Sequence, residues 1–142
     1  MDIVSTDDPD RGDVQFLDDR LYEFNVERTS IGDGRLLALF VRDERNAIVA
    51  GLYGWTWGGS CEIKLLWVHR DRRGQDIGTK LMAEAEAEAR RRGATQILLD
   101  THSFQAPRFY ERLGFERVGS IGGYPRGHEK IFMRKRLDVT PR

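Results

Sequence analysis

The spacing of apolar residues predicts a helix near the start of the chain. Over residues 11–28 they recur every three or four positions, as Val14, Leu17, Leu21 and Phe24. This spacing is typical of an amphipathic helix, and acidic residues occupy its other face. The short apolar stretch DIVS at residues 2–5 predicts a strand before this helix.

After residue 34 the pattern changes to runs typical of strands. Two apolar runs, 35–42 and 47–57, flank polar turn residues and predict a hairpin, and CEIKLLWVH at 61–69 predicts a third strand. The elements predicted after these are a helix at 78–92, a strand at 95–102, a helix at 105–115 and strands at 116–121 and 129–137. This order predicts one α/β domain over residues 1–142, with a mixed, mostly antiparallel sheet of about six or seven strands. The piece at 61–102 should be a right-handed crossover between parallel neighbours.

Composition narrows the class of protein. The 142 residues are 39% hydrophobic and 32% charged, as expected for a folded domain. Because 23 Lys and Arg balance 23 Asp and Glu, no bulk charge attracts a nucleic acid or an anionic membrane. The single cysteine, Cys61, cannot form an internal disulfide and gives no support for a zinc site. With no signal-peptide pattern and no apolar run of membrane-spanning length, we expect a cytoplasmic protein.

The segment RRGQDIGTKLM at residues 72–82 carries the first candidate chemistry. It joins a predicted strand to a predicted helix, and free N–H groups at a helix N-terminus bind phosphate well. Gly74 and Gly78 allow close backbone approach, and Arg72 and Arg73 add positive charge. An ordinary surface loop has the same composition, so the segment alone leaves both interpretations open.

The longer pattern LLWVHRDRRGQDIGTKLM, followed by SFQAPRFYERLGF, resembles the GNAT superfamily of acyl-CoA-dependent N-acyltransferases. In that family an Arg/Gln-x-x-Gly-x-Gly/Ala loop holds the pyrophosphate of coenzyme A. The resemblance implies helices on both faces of the sheet and a V-shaped splay between the two central parallel strands, near Trp67 and Val68. The coenzyme-binding residues that it implies are Trp67, Val68, Arg73, Gly74, Gln75, Asp76, Ile77, Gly78, Thr79 and Ser103.

Two of these positions depart from the family pattern. Asp76 stands where the first glycine of the loop is usual, and Ser103 stands where asparagine is usual. Because such a loop binds through backbone N–H groups, and Asp tolerates a left-handed backbone, Asp76 is compatible with phosphate binding. We expect its side chain to face solvent or to cap the following helix, with Arg72 or Arg73 offsetting its charge.

The resemblance also implies catalytic groups. Tyr110 matches the family tyrosine that protonates the departing thiolate, although an aromatic side chain packed beside Phe109 and Phe115 is the alternative. Glu62 is the candidate base, and Lys64 should share its strand face and keep it ionised. A surface ion pair is the alternative for these two, and core packing is the alternative for Trp67 and Val68.

The function that the resemblance implies is metal-free, acetyl-CoA-dependent transfer to a primary amine of a small cationic molecule, such as a polyamine or an aminoglycoside-like antibiotic. Acidic side chains of the first helix (Asp18, Asp19, Glu23), Trp55 and Trp57 of the hairpin, and Tyr124 and His128 could line the acceptor cleft. The alternatives are a non-catalytic acyl-CoA-binding sensor or partner module, and a transferase acting on a peptide amine or an aminoacyl-tRNA. The balanced charge of the chain argues against an aminoacyl-tRNA as acceptor. A homodimer through the last strands is also expected.

Overall fold

The computed structural model describes residues 1–138, which form two compact units. The first unit, Met1–Gly32, contains helix α1 (Arg11–Thr29), and the predicted helix is confirmed. The Asp10 side chain caps α1 by accepting a hydrogen bond from the Gly12 N–H at 2.7 Å. The strand predicted at residues 2–5 is wrong, because no strand within residues 1–138 pairs with this segment.

The second unit, which begins at Asp33, is built on a six-stranded sheet in the order β1-β2-β3-β4-β6-β5. Its elements are β1 (Arg35–Arg42), β2 (Ile48–Trp57), β3 (Ser60–Val68), α2 (Ile77–Arg91), β4 (Gln96–His102), α3 (Pro107–Arg112), β5 (Glu116–Ile121) and β6 (Lys130–Arg136). All neighbouring pairs are antiparallel except β3 and β4, which are parallel and are joined through α2. The predicted fold class is confirmed.

The core of this unit lies between α2 and the sheet. Leu81, Met82, Ala85 and Ala89 form the buried stripe of α2, at the spacing expected for a helix face. Against them pack buried sheet residues, the largest of which are Leu37, Leu52, Ile97, Ile131 and Met133. This apolar face fixes α2, and therefore the position of its N-terminus beside the sheet.

The two parallel strands separate after a short contact. β3 pairs with β4 only where Ser60–Glu62 face Gln96–Leu98. Beyond these residues β3 stays paired with β2, and β4 stays paired with β6. The sheet therefore opens as a V, and the strands are already apart at Trp67 and Val68.

A β-bulge at Lys64 changes which side chains of β3 face the core. Tyr53 of β2 pairs with Leu65 but Gly54 pairs with Ile63, so Lys64 has no direct partner. Glu62 and Lys64 are both exposed on either side of buried Ile63, but the expectation that they pair is wrong, because no ion pair joins them in the described chain.

Other expectations concern surfaces. None of the helices within residues 1–138 has the length and apolar character of a membrane-spanning segment.

β5 lies at a sheet edge with all of its residues exposed. The surface predicted to dimerise is therefore accessible, and the homodimer stays a prediction.

Candidate acyl-transfer site

A cleft of about 720 Å³ lies where β3 and β4 separate. Its walls are the end of β3, the loop that leads into α2, and the segment from Gln105 through α3. The predicted site residues that the structure brings together here are Trp67, Val68, Arg73, Gly74, Asp76, Ile77, Gly78, Thr79 and Tyr110. Residues that are far apart in sequence therefore meet in one cavity.

The loop before α2 has the backbone geometry of an anion site. Gly74 has φ +79° and Asp76 has φ 61° and ψ 19°, so the chain turns sharply before the helix begins at Ile77. The first intrahelical hydrogen bond joins the Lys80 N–H to the Asp76 carbonyl at 3.0 Å. The preceding amides, of Ile77, Gly78 and Thr79, lie at the positive end of the helix dipole and have no helical partner. They form a concave set of N–H groups that suits phosphate oxygens.

Asp76 adopts the left-handed conformation that the sequence predicts for its slot. Its side chain is exposed and accepts no capping hydrogen bond, so the expectation of a solvent-facing side chain holds and that of a cap is wrong. In the described part of the chain it forms no ion pair with Arg72 or Arg73. Arg73 Nε instead donates to the Val68 carbonyl at 3.2 Å and ties the loop to β3. Asp76 therefore shapes the loop through its backbone.

Gly78 keeps the cleft open between α2 and α3. A Cβ atom at this position would lie 3.4 Å from Phe109 Cζ and 3.9 Å from Val68 Cγ2. One carbon would fit in close contact, but a branched side chain would fill the space between these neighbours. Glycine is therefore needed at this position because a larger side chain would fill the cleft, and not because of its backbone conformation.

Tyr110 joins the core and the cleft. The residue is 9% exposed, and its ring makes edge contacts with Phe109 at 5.2 Å and Phe115 at 5.8 Å between centroids. The hydroxyl forms no hydrogen bond with the described residues, and it is not fully buried. Because Tyr110 lines the cleft, the hydroxyl reaches the cleft. Burial, and then the charge of Asp100, raise the pKa of Tyr110 above its ordinary value. The hydroxyl is therefore a protonated group facing the cavity.

Three predicted residues lie outside the cleft lining. Gln75 is exposed in the loop. Glu62 is exposed on β3, paired with Trp55 and Leu98 at the last position before the strands separate. Ser103 follows β4, and its Oγ lies 3.0 Å from His128 Nδ1 and accepts a hydrogen bond from the Glu129 N–H.

The sequence reasoning did not select two charged residues near the site. Arg112 ends α3 and lines the cleft. Asp100 lies on β4 beyond the last contact with β3, where its Oδ1 is 3.7 Å from Lys130 Nζ. The sequence does contain a feature that could have identified Asp100, because it is the one acidic residue in the predicted strand TQILLDTH.

Comparisons with known proteins agree with this geometry. The family model of the acetyltransferase (GNAT) domain matches residues 35–117. Acetyltransferase Atu2258 of Agrobacterium fabrum is 37% identical over 137 residues, which cover 96% of this chain and 100% of that protein. Blasticidin-S acetyltransferase of Streptomyces morookaense is 36% identical over 119 residues, which cover 79% of this chain and 85% of the relative.

Solved structures show the same fold. A crystal structure described as an acetyltransferase from Agrobacterium tumefaciens has a TM-score of 0.83 and 37% identity, covering 96% of this chain and 99% of that one. An acetyltransferase from Bacillus cereus has a TM-score of 0.75 and 28% identity, covering 94% of this chain and 98% of that one. With the family model, these likenesses establish that the chain is an acyltransferase and belongs to the GNAT acetyltransferase family.

Proposed function

We propose that this protein is an acetyl-CoA-dependent N-acetyltransferase that acts on the primary amine of a small cationic molecule. The observation that supports this most directly is that one cleft contains both the unpaired amides of the first turn of α2 and the unpaired hydroxyl of Tyr110. The first set of groups suits a pyrophosphate, and the second suits proton transfer.

The cleft residues fit coenzyme A. The amides of Ile77, Gly78 and Thr79 would hold the pyrophosphate, and the guanidinium groups of Arg72, Arg73 and Arg112 would add charge-assisted contacts. The gap between β3 and β4 leaves room for the pantetheine arm beside Trp67 and Val68. Gln75 and Ser103 stay proposed contacts of the coenzyme, although neither lines the cleft.

Acetyl-CoA, when bound, supplies the acetyl group as a thioester. Tyr110 would then act as general acid, and its hydroxyl proton would go to the departing sulfur as the amine nitrogen bonds to the acetyl carbon. The carbon–sulfur bond would break in the same exchange, and CoA would leave with a neutral thiol. The nitrogen would release its surplus proton to solvent as the amide forms, and solvent would return a proton to Tyr110. The raised pKa of Tyr110 keeps the hydroxyl protonated at neutral pH, as this role requires.

The acceptor amine must lose its charge before it attacks. An alkyl amine with a pKa of about 10.4 is an ammonium ion at pH 7, and freeing it costs about 4–5 kcal/mol. Glu62 and Asp100 are exposed acids on either strand of the V, and Glu62 stays the proposed base. The relative named for acetylation of blasticidin-S supports a small-molecule acceptor.

The proposed function is tested by measuring thiol release from acetyl-CoA with a panel of polyamines, aminoglycosides and simple alkyl amines. We expect release that depends on the amine and an acetylated amine as product. Binding of acetyl-CoA with no release on any amine would instead favour a sensor or partner module.

Acetyl-CoA should raise the melting temperature, because a ligand that binds only the folded form stabilises it by mass action. At a concentration of 100 times Kd the stabilisation is about 2.7 kcal/mol. Pantetheine, which lacks the phosphates, should raise the melting temperature far less in the same thermal-shift experiment. Equal shifts for the two compounds would contradict the assignment of residues 73–79 as the phosphate-binding loop.

Gly78→Val should weaken acetyl-CoA binding about 10-fold, because the branched side chain fills the space between Phe109 and Val68. Gly122→Val is the matched control, since a Cβ at Gly122 meets nothing within 4 Å. Calorimetric titration with acetyl-CoA measures both variants, and circular dichroism verifies their fold. Wild-type affinity in folded Gly78→Val would show that the coenzyme does not approach this glycine.

A further inference from the structure

Four rings meet where β4 ends, and we call them the ring wall. They are His102, Phe104, Tyr124 and His128, the last two from the loop between β5 and β6. His102 stacks on Phe104 at 5.2 Å with 15° between the ring planes, and it meets Tyr124 edge-on at 4.9 Å. His128 meets Phe104 edge-on, also at 4.9 Å. Two chain segments therefore build one aromatic surface.

Hydrogen bonds fix these two segments to each other. The Ser103 N–H donates to the Glu129 carbonyl at 2.8 Å, and the Glu129 N–H donates to Ser103 Oγ at 3.0 Å. Ser103 Oγ also lies 3.0 Å from His128 Nδ1. Because the rings are held before any ligand arrives, a ligand that contacts them has less ordering cost to overcome.

The ring wall borders the cleft. Gln105 lines the cleft, and its Oε1 accepts a hydrogen bond from the His102 N–H at 2.6 Å. Asp100 precedes His102 by two residues and so lies on the same face of β4, about 7 Å away. Its Oδ1 pairs with Lys130, and no described residue bonds its Oδ2. The negative charge of Asp100 also contributes to the raised pKa of Tyr110.

The ring wall is not explained by packing of the core. Phe104 is 60% exposed and Tyr124 is 37% exposed, and no ring of the wall belongs to the hydrophobic core cluster. An exposed phenyl ring contributes little to folding, since it leaves its apolar surface in water. Its flat face, fixed beside an acid and a catalytic cleft, suits a ligand that carries both a ring and an amine.

We propose that the ring wall recognises the acceptor and selects amines attached by a short linker to a planar aromatic or heteroaromatic ring. The ring stacks against Phe104, and Asp100 accepts a hydrogen bond from the amine, which holds the nitrogen at the border of the cleft that Tyr110 lines. This inference rests on the proposed N-acetyltransferase function and adds the class of acceptor.

The test compares two amines of nearly equal size, phenethylamine and its saturated analogue 2-cyclohexylethylamine. Wild-type protein should acetylate phenethylamine with a kcat/KM about 3- to 10-fold higher, the range of a ring–ring contact. Phe104→Leu should remove this preference by raising the KM for phenethylamine. The KM for acetyl-CoA should stay unchanged. Phe40→Leu, at another exposed phenylalanine on β1, is the control and should keep the preference.

A binding measurement separates failure of this inference from failure of the proposed function. Saturation-transfer NMR with phenethylamine and CoA detects binding without turnover. Acetylation of both amines with no ring preference, or a preference that survives Phe104→Leu, would overturn the ring wall alone. Phe104-dependent binding with no thiol release on any amine of the panel would support the ring wall and overturn the N-acetyltransferase function. No Phe104-dependent binding, together with no thiol release on any amine of the panel, would overturn both.

Discussion

Tyr110→Phe should lower kcat about 100-fold and leave the KM for acetyl-CoA nearly unchanged, as expected when a positioned proton donor is lost. The phenylalanine ring keeps the edge contacts with Phe109 and Phe115, so the substitution removes only the hydroxyl. Coenzyme affinity depends little on that hydroxyl, since a thioester sulfur is a weak hydrogen-bond acceptor. Steady-state kinetics on the best amine of the panel provide both constants.

The same substitution should barely change stability. The Tyr110 hydroxyl bonds no described residue, so its removal leaves no partner unsatisfied, and the free energy of unfolding should shift by less than about 0.5 kcal/mol. Tyr53→Phe, on β2, is a matched control that should keep both turnover and stability. Wild-type turnover in Tyr110→Phe would remove the acid role and direct attention to water or Tyr124. The family assignment would survive, because positioning of the reactants supplies much of the rate.

The pH dependence of turnover follows from the raised pKa of Tyr110. Burial and the charge of Asp100 both favour the neutral phenol, so the folded protein holds this proton to a higher pH than the unfolded chain. The associated stability is fully present below the ordinary tyrosine pKa of about 10 and is lost as pH rises through the folded value. Tyr110 should therefore stay protonated from neutral pH up to its pKa in the folded protein, and its deprotonation should not reduce turnover in this range.

Local patterns predicted most of the second unit. Alternation and turn residues located every strand from β1 to β6, because side-chain periodicity is set by the backbone of each element. The positive φ at Asp76 was also predictable, since it depends on the loop and on the residue type alone. The strand at residues 2–5 failed because a strand requires a partner, and a pattern within four residues does not supply one.

Features that depend on distant residues were not predictable. The motif predicts that Ser103 contacts the coenzyme, but it does not show that Ser103 Oγ also bonds the loop that precedes β6, where it accepts a hydrogen bond from the Glu129 N–H. From the sequence Asp100 is an ordinary acid of a strand, and only the separation of β3 from β4 shows that it lies beyond their last contact. Alternation places Glu62 and Lys64 on one exposed face, as the structure has them, but it does not predict the bulge at Lys64, which leaves Leu65 exposed as well.

Gly54, which lies on β2 at this bulge, allows the close approach of β3, and Gly54→Ala should lower the free energy of unfolding by about 3 kcal/mol or more, the upper range for overpacking. A Cβ at Gly54 would lie 2.0 Å from the Glu62 carbonyl oxygen and 3.0 Å from the Ile63 Cα. Both are backbone atoms, so no rotamer change relieves the clash and β3 itself must move. Urea unfolding followed by tryptophan fluorescence measures the change.

Gly119→Ala is the control, because a Cβ at this β5 glycine meets nothing within 4 Å and the change should stay within about 0.5 kcal/mol. The Gly54 substitution should also lower kcat/KM in whatever protein remains folded, since the bulge directs Leu66 and Val68 toward the cleft. Equal stability of the two variants would show that β3 shifts along β2 at little cost. The end of β3 would then owe its position at the cleft to α2 and the loop, and not to the bulge.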